Sequence, residues 1–165
     1  YNFQIEKIDA FLEKELIISS TKIRNLILSQ QVELANELLG YSYFIEDVVV
    51  KGQKRGRTIG FPTLNFSFSN KYKLIPAKGV YLVSSEIQNK TYYGMANIGV
   101  RPTFEEDGEL LLEVHLFDFE EDLYGKKVSV NFIKFIREEK KFKGIEEIKT
   151  QLEEDKEKCL EFIEM

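Results

Sequence analysis

Several short stretches of this chain hold side chains suited to chemistry. The first is Lys51-Gly52-Gln53-Lys54-Arg55-Gly56-Arg57-Thr58-Ile59-Gly60, where glycine recurs every fourth residue among four basic side chains. Glycine lets backbone N–H groups come close to an anion, and Lys and Arg supply countercharge. That is the local chemistry of a phosphate cradle, although the spacing is not that of a Walker A loop or a dinucleotide fingerprint. An exposed β-loop with solvated charges would carry the same pattern. Phe61-Pro62-Thr63-Leu64-Asn65 follows at once. On a strand, Thr63 and Asn65 share a face. Their hydroxyl and amide oxygens are the hard, neutral donors that suit Mg²⁺ shared with a phosphate, or else the polar face of an ordinary strand start.

A third stretch, Leu110 to Phe119, sets Glu113 and His115 in an apolar strand. Alternation puts Leu111, Glu113, His115 and Phe117 on one face and Leu112, Val114 and Leu116 on the other. A carboxylate there costs free energy unless it is paired or used, and its pKa is open to tuning for general-base work. The alternative is a barrel-wall Glu paired with a cation on a neighbouring strand. Asn97-Ile98-Gly99-Val100-Arg101-Pro102-Thr103-Phe104 reads as a strand running into a loop. Finally, Arg137 ends an apolar strand, and Glu138 to Phe142 form a charged connection. Arg137 could reach inward to an anion or the edge of a planar ligand and Phe142 could cover an aromatic one; solvated loop charges and a Phe tucked under a helix are the bland reading.

The elements that must position these residues are short. From Tyr43 to Ile136 the chain reads as six strands: Tyr43–Val50, Thr63–Phe68, Gly79–Ile87, Thr91–Ile98, Leu110–Phe119 and Lys127–Ile136. Such spacing is the all-β pattern, and closing the sheet into a barrel removes its edges. Gln88-Asn89-Lys90 reads as a tight hairpin turn. Residues 144–163 read as a helix on the outside of the barrel, with Ile145, Ile148, Leu152, Cys159 and Ile163 near one stripe. Cys159 is then a core residue. Before the strands, Phe3 and Ile5 alternate as in a strand, Leu16-Ile17-Ile18 forms an apolar run, and Ser19-Ser20-Thr21 offers N-caps for a helix. A second helix carries Val32, Ala35 and Leu39, with Gly40 as its terminator.

Composition narrows the classes. The 165 residues carry a net charge of −5 and 13% aromatics, with 13 Phe, 8 Tyr and no Trp. That aromatic load opposes disorder, and the charge opposes a nucleic-acid partner. No apolar run reaches the roughly 20 residues of a membrane span. One Cys and one His exclude a disulfide framework and a His-rich metal site. A cytoplasmic setting, with no membrane partner, is the expectation.

Taken in order, VVVKGQKRGRTIGFPTLNF, PAKGVYLV, YYGMANIGVRPTF, LEVHLFDFEEDLYGKKVSV and FIREEKKF resemble the riboflavin kinase module of the bacterial bifunctional riboflavin kinase/FAD synthetase family. ISSTKIRNLILSQQVELANELLG resembles the end of that family's adenylyltransferase domain and its linker helix. The resemblance implies a mainly β fold: a six-stranded antiparallel Greek-key-like barrel over residues 41–165 with a C-terminal helix. A short αβ remnant of the adenylyltransferase domain would precede it over residues 1–40. It implies transfer of the ATP γ-phosphate to the 5′-hydroxyl of riboflavin, giving FMN and ADP. By the same resemblance Glu113 is the catalytic base. Gly52, Lys54, Gly56, Arg57, Gly60, Thr63, Asn65 and His115 bind ATP, Thr63 and Asn65 hold Mg²⁺, and Arg137 and Phe142 contact the flavin. FAD synthesis is not expected, because the adenylyltransferase's histidine motif has no counterpart here. A non-catalytic flavin- or nucleotide-binding barrel and a single-strand nucleic-acid-binding barrel are the rival readings.

Overall fold

The computed structural model describes residues 12–13, 16–52, 55–70, 72–100 and 110–164. The expected strand at Phe3 and Ile5 and the loop at Arg101–Phe104 lie outside the described residues. A two-stranded ribbon, β1 (Leu12–Glu13) and β2 (Leu16–Ile17), leads into α1 (Ser20–Leu28) and α2 (Val32–Leu39). Ser19 caps α1 by accepting from the Lys22 amide at 3.2 Å. Gly40 ends α2 with φ +75°. Ile27, Val32 and Ala35 join the barrel's own core, so both helices close one side of it. Asn36 ties α2 to the sheet by donating to the Phe132 carbonyl at 2.8 Å.

Six antiparallel strands then close into a barrel: β3 (Phe44–Val50), β4 (Leu64–Phe66), β5 (Gly79–Ile87), β6 (Lys90–Val100), β7 (Leu110–Leu116) and β8 (Lys127–Arg137). Their order around it is β3-β4-β7-β6-β5-β8. The meander β5-β6-β7 is local, while the connections β4 to β5 and β7 to β8 cross between non-neighbouring strands, which gives the Greek-key character. One helical turn, α3 (Arg55–Thr58), lies between β3 and β4, and α4 (Ile145–Ile163) ends the chain.

Alternation sorts the two faces. Phe66, Tyr81, Val83, Ile98, Leu112 and Val114 fill the interior. Val80, Leu82, Met95, Phe61 and Phe117 form a second apolar patch on the outer face, capped by Cys159 of α4. Two strands are shorter than their apolar runs. Phe68 takes φ +46° and Asp118 φ +53°, so β4 and β7 stop before them. Beyond β4 the chain is caught by buried Asp47, whose carboxylate accepts from the Ser69 amide at 2.6 Å and its hydroxyl at 2.7 Å. Burial alone would raise that carboxyl's pKa; the bonds from Ser69 and Val48, with Lys127 nearby, hold it below the ordinary value.

The stripe of α4 departs from the expected one. Ile145 is exposed, and the buried positions are Gln151, Asp155 and Cys159, an i, i+4, i+8 row. A polar pair thus occupies the middle of a helix face that faces the barrel.

Candidate active site

Strand register builds the site. Asn65 of β4 lies opposite Glu113 of β7, which lies opposite Asn97 of β6, then Val80 of β5, then Arg137 of β8. Directly opposed residues share a face, so one rung crosses five strands on the outside of the barrel. Arg137 belongs to it because of a bulge. Tyr81 pairs with Phe135 and Val80 with Arg137, leaving Ile136 as the extra residue. Without that insertion Arg137 would alternate with Ile136 and follow Phe135 inward.

At the β4 end of the rung, Asn65 is 4% exposed. Its Nδ2 makes two long contacts, 3.3 Å to the Thr63 carbonyl and 3.4 Å to the Thr63 hydroxyl. Its buried Oδ1 has no hydrogen-bond partner among the described residues. Gly52 lies so close that a Cβ there would strike the Asn65 amide. A cleft of about 70 Å³ opens beside them, lined also by Lys51, Ser67 and Leu111. That volume suits an ion rather than a nucleotide, so a nucleotide would have to lie along the open surface.

From Arg55 to Gly60 the basic segment is folded rather than extended. Gly56 sits beneath the Phe61 carbonyl, where a Cβ would collide, and accepts from the Phe61 amide at 2.9 Å. Gly60 turns the chain with φ +88°. Phe61 and Ile59 anchor this turn in the outer apolar patch, leaving Arg57 exposed. Lys54 lies outside the described residues.

His115 fastens the same segment. Its Nδ1 lies 2.8 Å from the Pro62 carbonyl. A carbonyl only accepts, so Nδ1 carries the proton. The ring makes edge contacts with Phe61 and Phe117. Burial pushes its pKa below the ordinary 6.5, and Lys156 adds to this; the Pro62 bond and Asp118 act the other way. The folded state therefore prefers neutral His115. Stability from this group is complete above the unfolded pKa and is lost as pH falls below about 6.5 toward the depressed folded value. Melting temperatures between pH 7.5 and 5.5 should fall for the parent, and His115→Gln should flatten that part of the profile. An identical slope in the variant would remove His115 as its source.

At the other end of the rung, Arg137 is held by α4. Its Nε donates to Asp155 Oδ1 at 2.8 Å and its Nη2 to Oδ2 at 2.6 Å, while Nη1 donates to the Glu138 carbonyl at 2.8 Å. The Phe142 ring lies 6.0 Å from the guanidinium. Glu139 reaches back across Gly99 toward Asn97.

The rung thus sets Asn65 beside Glu113, with Thr63 and Gly52 against Asn65, and His115 fixes the Pro62 carbonyl just before β4. Arg137 and Phe142 lie together at the far end. Asn97, Glu139, Gln151 and Asp155 were not foreseen. Asn97 is hidden by a barrel order that local pattern does not reveal. Asp155 had one local signal, its i−4 spacing from Cys159. Among the described residues no group of three His, Cys, Asp or Glu side chains could hold a metal. No helix among them is long and apolar enough to cross a membrane.

Comparison with known proteins shows the family. A bifunctional riboflavin kinase/FMN adenylyltransferase of Bacillus subtilis is 43% identical over 94% of this chain and 49% of its own length. The protein of the same description from Escherichia coli K12 is 40% identical over 98% of this chain and 51% of its own length. A crystal structure described as a macrolide-efflux protein from Streptococcus pneumoniae superposes with a TM-score of 0.80 at 39% identity, over 91% of this chain and 49% of that one. The chain spans about half the length of the curated relatives it matches. The family model for riboflavin kinase, named Flavokinase, matches residues 39–163, which takes in the whole barrel, the rung and α4. This chain belongs to the riboflavin kinase family.

Proposed function

We propose that the chain transfers the γ-phosphoryl group of ATP to the 5′-hydroxyl of riboflavin, releasing FMN and ADP. The observation that carries this reading is the pairing of Glu113 with Asn65, whose amide oxygen is buried and unpartnered beside Gly52. Phosphoryl transfer needs mainly positioning and charge neutralisation. The glycine-rich segment that holds Gly52, Gly56 and Gly60 serves the ATP phosphates, with Lys54 and Arg57 as countercharge. His115 serves the ATP side by fixing the Pro62 carbonyl, and with it the start of β4.

Thr63 and Asn65 fit Mg²⁺, since both offer neutral hard oxygens and one of these lacks a hydrogen-bond donor. When bound, the ion neutralises charge on the transferred phosphate. Glu113, one strand spacing from Asn65, orients the ribityl hydroxyl and takes its proton as the P–O bond forms. Arg137 and Phe142 serve the flavin ring.

Incubation with riboflavin, ATP and Mg²⁺, followed by chromatographic separation of the flavins, tests the proposal. FMN formation supports it. Tight binding of both substrates without FMN would favour the non-catalytic binding barrel. Thr63→Ala should raise the Mg²⁺ concentration for half-maximal rate several-fold, and an unchanged titration would remove Thr63 as a ligand.

A further inference from the structure

The rung ends in a small polar network that the proposed chemistry does not use. Asp155 is fully buried and lies on the barrel-facing side of α4. It takes the two-pronged grip of Arg137, and Gln151 Nε2 donates to its Oδ1 at 3.2 Å. Gln151 in turn accepts from Lys140 Nζ at 3.1 Å. The connection after β8 is therefore fastened to α4 at two points, Arg137 and Lys140. Both cations face the Phe142 ring, at 6.0 and 5.8 Å. The ring is thus held by groups that are themselves held from α4.

A solvent-exposed pair would do little of this, because long side chains would keep their freedom. Here the carboxylate is buried, both its oxygens are occupied, and the fork geometry fixes the guanidinium plane. The Arg137 donors spent on Asp155 and Glu138 are not available to an anion. One N–H on each of Nη1 and Nη2 is left for a ligand, and Asp155 sets the plane from which they point.

We propose that Asp155, assisted by Gln151, is a positioning residue for the acceptor substrate. From α4 it sets the pose of Arg137 and Phe142, and so the affinity for the flavin ring, without touching the ATP end of the rung. This rests on the riboflavin kinase reading. The selectivity follows from distance, since Asp155 acts at β8 while Asn65 and Glu113 lie on β4 and β7.

Riboflavin binding, followed by quenching of its own fluorescence, and steady-state kinetics test this on the whole chain. Asp155→Asn keeps the volume but turns a donor toward the guanidinium. Its riboflavin Kd and KM should rise about tenfold, with the KM for ATP within about twofold and the loss falling on riboflavin KM rather than kcat. Gln151→Ala, which removes the bonds to Lys140 and to Asp155 but leaves the Arg137–Asp155 pair in place, should shift riboflavin affinity in the same direction by a smaller factor and gives the answer should Asp155→Asn fail to fold. Unchanged riboflavin affinity in folded variants beside a parent that binds would overturn the inference alone. A parallel rise in both KM values would also overturn it, marking Asp155 as a general structural support. A parent chain that neither binds riboflavin nor forms FMN would overturn the kinase reading together with the inference that rests on it.

Discussion

Glu113→Gln should fold like the parent and lose about two orders of magnitude or more in kcat, within the range general-base assistance contributes. Gln keeps the size of the side chain and its hydrogen-bonding capacity at the half-buried centre of β7, between Asn65 and Asn97. What it cannot do is accept a proton at neutral pH. The interior of the barrel is untouched, because Leu112 and Val114 point the other way. A matched melting temperature beside a collapsed kcat would isolate the chemistry from the scaffold. Turnover like the parent's would strip Glu113 of the role and leave positioning alone to account for catalysis.

The second large effect is expected from one methyl group. In Gly52→Ala the new Cβ would meet the Asn65 amide. That amide is the end of a side chain with only two long hydrogen bonds, so the fold can yield by swinging it aside at little cost in stability. The swing removes Oδ1 from the place where Mg²⁺ would find it. The rate at limiting Mg²⁺ should drop more than about tenfold, partly recovered at high Mg²⁺, since metal sites depend on their ligand number and geometry. The melting temperature should move little. A large loss of stability with an unchanged Mg²⁺ titration would mean that Gly52 serves the loop's packing instead.

Much of the scaffold was legible in the sequence because its signals are local. Alternation located all six strands, and Gln88-Asn89 announced the β5–β6 hairpin; their φ values of 53° and 62° are those a two-residue type I′ turn requires. Ser19 and Gly40 bounded their helices for equally local reasons. Glu113, Thr63 and Asn65 stood out as polar groups in apolar company. The rung that unites them was not legible, because neighbourhood in a Greek-key barrel depends on which distant strands pair. Nor was the bulge at Ile136, without which Arg137 would face inward. In α4, the apolar positions suggested Ile145 as part of the buried stripe, whereas the burial of Gln151 and Asp155 is stabilised by partners on a different element. The turn at Arg55–Thr58 interrupts what reads as open loop, since it is closed by the distant packing of Phe61.

Cys159 is the sole thiol in the chain, has no exposed surface and has a pKa pushed up to about 12 by burial and the nearby Asp155 charge. Attack on an alkylating or disulfide reagent requires thiolate and access, and the docked helix denies both. The chain consequently carries its own chemical clock. Under native conditions each modified molecule records one excursion of α4 away from the barrel, so the rate of labelling counts openings that spectroscopy at equilibrium would average away. Slower labelling in the presence of riboflavin would show directly that the flavin and the helix share one stabilising embrace.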